Sequence, residues 1–251
     1  LHRNAVPLDS KLHRNLKLTG AVDYAGASTM HMVYVSSTEM LTAALDFVIV
    51  FVEMGPAPAG GKAPLLPVAL LGTQREENLY VEDGHWTARY IPSFFRRHPF
   101  ATAPREGLGD APAVLVDPAS PRLTEGGEGV ALFDAEGKPT PALNDILSFL
   151  NGFDREVDMT RRFCAVIQHH DLLKPMTAKM TMPDGEELSV SGFFMFDEEK
   201  ARALPAAVKV ELLDNGTLTG LQTHQVSLGN LRYLTERRAR RAGKSVATVP
   251  V

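Results

Sequence analysis

The run FVIVFV, Phe47 to Val52, fenced by Asp46 and Glu53, is the longest uninterrupted apolar stretch of the chain. Six β-branched and aromatic residues suit a strand, whereas a helix needs about 20 apolar residues to cross the hydrocarbon layer of a membrane. A membrane-spanning role is therefore excluded. The apolar residues must instead be buried against one another, and 251 residues with 44% hydrophobic content supply a core for one large domain or two small ones. The formal net charge of −4 offers no general attraction to phosphate backbones, so nucleic acid is not expected as a partner.

Local charge departs from that average at one place. The segment RYLTERRARRAGK, residues 232–244, holds six basic residues against the single acid Glu236, and reads as a solvated helix end or as a docking tail for an acidic or lipid surface. Cys164 is the lone cysteine, which rules out an internal disulfide and a cysteine-built zinc site. It falls on the apolar stripe of a predicted helix and reads as a small core hydrophobe. The opening LHRNAVPLDSKLHRN lacks the apolar segment of a secretory signal, so the expectation is a cytoplasmic protein, with the cell surface by non-classical export as the alternative.

The order of elements points to an α+β fold with a mainly antiparallel sheet, hairpins and flanking helices. Ser36 and Glu39 form a capping box that predicts a helix from Ser37 to Asp46, followed by the strand Phe47 to Val52. LLPVALLG reads as a second strand, at an edge or bulged because Pro67 cannot donate to a ladder. Asp83-Gly84, Asp184-Gly185 and Asn215-Gly216 each tolerate the positive φ of tight turns and separate extended runs; TLTGLQTHQV, with His224, reads as the strand after the last of them. Thr140 with Pro141 opens a helix whose Leu143, Ile146, Leu147 and Leu150 share a face, and Gly152 is expected to stop it. A separate helix carries Phe163, Val166, Ile167 and His170 as far as Pro175. Asp197 caps a short helix, and a polar helix runs from Leu228 to about Arg241. A single domain over 1–251 is expected, with subregions 1–102 and 130–241 joined by the Pro- and Gly-rich segment 103–129. No GxGxxG or GxxxxGKS/T loop occurs, so no nucleotide cofactor is expected.

The stretch YIPSFFRRHPF, Tyr90 to Phe100, looks most like a site. On a helix beginning at Pro92, Ile91, Phe94, Phe95 and His98 share one face, while Ser93, Arg96 and Arg97 lie away from it. The phenylalanines then anchor a scaffold and the arginines favour the helix C-terminus. The functional alternative makes Arg96 and Arg97 an anion clamp beside His98, with Trp86 and Tyr90 as walls. QHHD invites comparison with a 2-His-1-carboxylate iron site, His169, Asp171 and His224, but on a helix the first two point about 200° apart. No metal is expected there. His31, His85 and His98 have no carboxylate or cysteine partner at ligand spacing, and no GxSxG elbow marks a nucleophile.

The segments VIVFVE, VALLGTQREENLYVEDGHWTARYIPSFFRRHPF, VALFDAEGKPTPALNDILSFL, LLKP, LSVSGFFMFDEEK and THQVSLGNLRYL, taken in order, resemble the SapC family of bacterial proteins, from about Met32 to Leu234. The part from Glu77 to Phe100 is the most specific; Gln225 and the basic tail from Arg237 depart from the pattern. The resemblance implies a link to a bacterial surface layer, the source of the family's name. Members are also labelled peptide transporter permeases, which the short apolar runs contradict. It implies no catalytic residue and no cofactor. Two functions follow as expectations. One is an accessory protein that binds a protein or envelope component of a surface layer or uptake system; the other is an intracellular enzyme for a small anionic or saccharide substrate, using the Trp86 to His98 region or His224.

Overall fold

The computed structural model describes residues 2, 4–20, 23–57, 60–103, 112–181 and 187–243. The strands in chain order are β1 (Val6–Pro7), β2 (Lys17–Leu18), β3 (Met32–Tyr34), β4 (Val48–Glu53), β5 (Leu65–Leu70), β6 (Val81–Glu82) and β7 (His85–Trp86). They continue as β8 (Phe100–Ala103), β9 (Ala113–Val116), β10 (Leu123–Thr124), β11 (Val130–Ala131), β12 (Leu173–Thr181) and β13 (Glu187–Phe196). The helices are α1 (Met40–Ala43), α2 (Ser93–Arg96), α3 (Pro141–His169), α4 (Glu198–Ala203), α5 (Ala206–Asp214), α6 (Thr217–Ser227) and α7 (Leu231–Arg241). Pairing in the three larger sheets is antiparallel, which gives the expected α+β class. Asp83 and Gly84 both take positive φ, as the turn between β6 and β7 requires. The Asp184-Gly185 turn lies outside the described residues, but β12 and β13 on either side of it pair antiparallel.

Interleaved segments build two compact units, Leu1–Ala27 with Asp83–His85 and Ser93–Arg155, and Ser28–Glu82 with Trp86–Pro92 and Glu156–Val251. In the first, β1-β9-β8 and β10-β2-β11 form two small sheets. Apolar residues in and next to these strands, among them Leu16, Phe100, Val116 and Leu132, close a core with Leu143 and Leu150, against which Ile146 and Leu147 pack. These are the four residues of the predicted apolar face. Thr140 Oγ1 accepts the Leu143 N–H at 3.4 Å, and Pro141 takes the first helical position. Gly152 does not stop the helix. α3 runs unbroken for 29 residues, since an interior glycine costs only about 1 kcal/mol against alanine and buried Leu150 and Phe153 flank it.

In the second unit the sheet order is β12-β13-β4-β5-β3. β5 is therefore interior, not an edge, and the reason Pro67 is tolerated lies in the register. Its carbonyl accepts from Val35 at 3.2 Å, so its donorless nitrogen faces the same way, just past the last paired residues Tyr34 and Val68 of the β3 ladder. The β4 side loses nothing. Pro175, expected to end a helix, sits instead in the edge strand β12 opposite Phe194. The capping box forms in half: Glu39 Oε2 accepts the Ser36 N–H at 3.1 Å, but α1 covers only four residues. Beyond it the chain tightens into turns, with Leu45 N donating to Thr42 O at 3.2 Å and Asp46 N to Ala43 O at 3.1 Å, before Phe47 leads into β4.

TLTGLQTHQV is a helix, α6, not a strand. Its inward face is Thr217, Leu221, His224 and Ser227, all buried and spaced as one helical side. That face is largely polar because it serves main-chain groups. Ser227 Oγ accepts the Ile49 N–H at 2.9 Å, His224 Nδ1 lies 2.7 Å from Ile49 O, and His224 Nε2 accepts the Phe196 N–H at 3.2 Å. Both ring nitrogens are thereby engaged, which defines the neutral Nδ1–H tautomer.

Burial pushes the His224 pKa down to about 4, against the smaller upward pull of its bond to Ile49. An unfolded chain protonates this imidazole near pH 6.5, so as pH falls the unfolded state takes the proton first. The stability contributed by neutral His224 is complete above about pH 6.5 and is lost toward pH 4, on the order of 3 kcal/mol over the window. Urea denaturation at pH 7 and pH 5 should show the fall, with a smaller fall in His224→Asn; equal slopes would contradict this account.

Candidate functional site

Topology assembles the most chemically loaded corner of the first unit. β9 is central, and both neighbours run antiparallel to it, with Val6 and Phe100 each opposite Val116. The residues that follow β9 therefore meet those that precede β1 and β8. Asp117 follows β9, is 2% exposed and donates its N–H to Pro99 O at 3.0 Å. Its carboxylate accepts from Asn4 N at 3.3 Å and Ala119 N at 3.2 Å. His98 precedes β8 through a cis peptide to Pro99, and its ring centroid is 5.0 Å from that of His2. One ligating atom from each of His2, His98 and Asp117 lies within 4.8 Å of the others.

Beside this corner opens a cleft of about 320 Å³ lined by Arg96, Arg97, His98, Arg122, Asp145 and Phe149, among others. Arg96 donates to Ser93 Oγ at 2.6 Å and lies over the Phe149 ring at 5.3 Å. Arg97 is sandwiched between Phe94 at 4.5 Å and Phe153 at 4.8 Å, and Arg122 Nη1 donates to His98 O. Three guanidinium groups face one carboxylate, Asp145. Nε of Arg97 and Nε of Arg122 are buried and have no hydrogen-bond partner. Burial pulls both guanidinium pKa values down. It also pushes His98 down to about 4, reinforced by His2 and Arg122, and lowers His2 with help from Arg97.

The local reading of this stretch needs two corrections. α2 is one turn long, Ser93 is buried inside it, and Phe94 is only half-buried, so Phe95 is the core anchor. Arg97 is likewise half-buried between rings, not a solvated helix end. Of the sequence candidates, the structure brings Arg96, Arg97 and His98 together. Trp86 and Tyr90 belong to the second unit: Trp86 Nε1 donates to Tyr90 O at 2.8 Å, the indole stacks on Tyr80 at 6.1 Å, and Tyr90 Oη donates to Glu39 at 2.5 Å.

His169, Asp171 and His224 do not meet. α3 ends at His169, which is exposed, and Asp171 follows in a turn with positive φ, ion-paired to Lys200 at 2.5 Å and Lys62 at 3.4 Å. His224 is the buried clamp described above. Cys164 is buried, and burial pushes its thiol up to about 12, as a core residue requires. The basic segment packs inward in part: Arg237 lies over Tyr80 at 4.4 Å and donates to Thr87 Oγ1 at 3.0 Å, Arg238 donates to Thr73, and Arg241 donates to Asn78 O at 2.7 Å and to Val81 O, while Arg232 and Arg240 stay exposed and pair with Glu236 at 3.2 and 3.9 Å. Lys244 lies outside the described residues.

A larger groove of about 490 Å³ in the second unit is lined by Met40, Phe163, Thr217, Thr223 and Arg162, among others. Among the described residues on its wall Arg162 is the only charged group, and Thr223 Oγ1 already donates to Thr219 O at 2.8 Å. Sequence reasoning missed His2, Asp117 and Arg122, because Asp117 and Arg122 stand about 20 residues from His98 and His2 about 100, and strand pairing is what brings them together. Arg122, between Pro121 and Leu123, carries no local signal.

Among the described residues no helix is long and apolar enough to cross a membrane, and the fold class is α+β. Its affiliation is more specific: the SapC family model matches residues 8–234, and the chain belongs to the SapC family. No curated protein and no solved structure matches it.

Phe95 is 2% exposed and meets Tyr24 edge-on at 6.5 Å. Phe95→Ala should cost about 3–5 kcal/mol, and Phe94→Ala about 1–2 kcal/mol, in urea denaturation. The reverse order would contradict the assignment of the anchor.

Proposed function

We propose that this SapC-family chain is a bacterial accessory protein that works by binding, and that its ligand is a small anion or an anionic group on a surface-layer or envelope component. The observation that carries the reading is the pair of buried Nε–H donors on Arg97 and Arg122, which have no acceptor beside the cleft. A buried donor left unpaired costs about 1–3 kcal/mol, and an incoming carboxylate or phosphate oxygen removes that cost while gaining a charge-assisted bond. Ring contacts hold Arg96 and Arg97 in place before a ligand arrives, so little side-chain freedom remains to be lost.

Binding rather than turnover is favoured by the walls themselves. Among the described residues lining the cleft there is no serine, threonine or cysteine to act as a nucleophile. In the basic segment 232–244, Arg237, Arg238 and Arg241 donate to acceptors of the chain itself, which makes the cleft the first place to look for an acidic partner.

Titration with inorganic phosphate, pyrophosphate and citrate should raise the melting temperature, by the equivalent of about 2.7 kcal/mol at 100 times the dissociation constant. Arg122→Ala and Arg97→Ala should each weaken binding by about 10- to 100-fold, while Arg162→Ala in the larger groove should leave it unchanged. No shift with any of the three anions, or equal binding by the cleft variants, would refute the proposal.

A further inference from the structure

We propose that His2, His98 and Asp117 form a site for one divalent first-row transition-metal ion. Strand topology carries the argument. Because β9 lies between β1 and β8 with both pairs antiparallel, its C-terminal end is the one place where the residues ahead of β1 and of β8 converge. Val6 and Phe100 share the partner Val116, so the register that closes the core also sets where His2, His98 and Asp117 stand. Their ligating atoms fall within 4.8 Å of one another, and this is the one such group of three or more histidine, cysteine or acidic residues identified among the described residues.

A second observation is independent of that proximity. His2 Nδ1 and His98 Nε2 are both buried without a hydrogen-bond partner. Buried polar atoms are nearly always paired, and an imidazole nitrogen without a partner on each of two histidines beside a carboxylate can present a lone pair of the kind a metal takes. Asp117 is already oriented, since Asn4 N and Ala119 N each hold one of its oxygens. Support of this kind aims a ligand without using all its lone pairs.

The donor set selects the class of ion. Two nitrogens and one oxygen suit Fe²⁺, Co²⁺ or Zn²⁺, whereas Mg²⁺ and Ca²⁺ call for oxygen ligands. Three protein ligands leave coordination positions for water or an anion. Arg97 and Arg122 lie close enough to weaken the attraction for a dication, and Asp117 offsets one of their charges. The site does not depend on an anion entering the cleft.

Chelator-treated protein titrated with Co²⁺ and with Zn²⁺ should bind one equivalent of either, and bound Co²⁺ should show visible d–d absorption. His2→Ala and His98→Ala should each weaken binding by roughly 10-fold or more, whereas the double variant His169→Ala with His170→Ala, an adjacent histidine pair elsewhere, should bind as the parent does. Melting curves without metal check that each variant folds. Without any variant, Co²⁺ should broaden the imidazole NMR signals of His2 and His98 before those of His169 and His170. Binding that survives loss of His2 and His98, first broadening at His169 and His170, or no binding at millimolar metal would overturn the proposal. Retention of phosphate affinity in His2→Ala would separate this site from the anion cleft.

Discussion

The main-chain N–H and C=O of Ile49 have to be satisfied deep in the second unit, and β13 does not do it. Among the described residues, β13 pairs with β4 at Phe194 and Phe51. Leaving two buried backbone groups without partners is costly, so α6 must present side chains there, and it does so with His224 and Ser227. His224 also reaches Phe196 N, tying the ends of two strands through one ring. Much else follows from that contact. Thr217, Leu221 and Gly220 must share the inward face, and Gly220 is small because a Cβ there would lie 2.7 Å from the Phe163 ring.

Arginines show the same logic in opposite senses in the two units. In the second, Arg237 and Arg241 donate to backbone carbonyls of the 79–81 region and to Thr87, so their charge completes a structure. In the first, Arg97 and Arg122 are half-buried, and their Nε atoms meet no acceptor. Composition cannot distinguish these cases. What separates them is that at the cleft two Nε–H donors are left without an oxygen from within the chain.

What was legible in the letters was periodicity and turn chemistry. Leu143, Ile146, Leu147 and Leu150 mapped onto a core face, Asp83-Gly84 onto a turn, and Asp197 onto a helix cap that accepts the Lys200 N–H at 3.3 Å. The readings that failed share a cause, since each relied on a local rule that tertiary contacts outweigh. α6 looks like a strand because its buried side is threonine, histidine and serine, chosen for hydrogen bonding rather than for apolarity. Pro67 and Gly152 look like interruptions, but the missing donor falls beyond a ladder in one case and the helix is held by buried neighbours in the other. At the candidate site, Arg96, Arg97 and His98 were visible as a cluster within a few residues. His2, Asp117 and Arg122 were not, because only the register of three short strands brings them there.

The arginine contacts of α7 also bear on how the second unit comes together. Arg237 and Leu79 are 158 positions apart, and Arg238 and Thr73 are 165 apart. Closing such long loops loses chain entropy before any contact is gained, and reliance on distant pairings slows folding. The β4–β5 ribbon can form from neighbouring segments on its own, whereas the 73–87 region waits for a helix made far downstream. Until that helix docks, the Tyr80 ring lacks its cationic cover, so this face of the second unit is completed last.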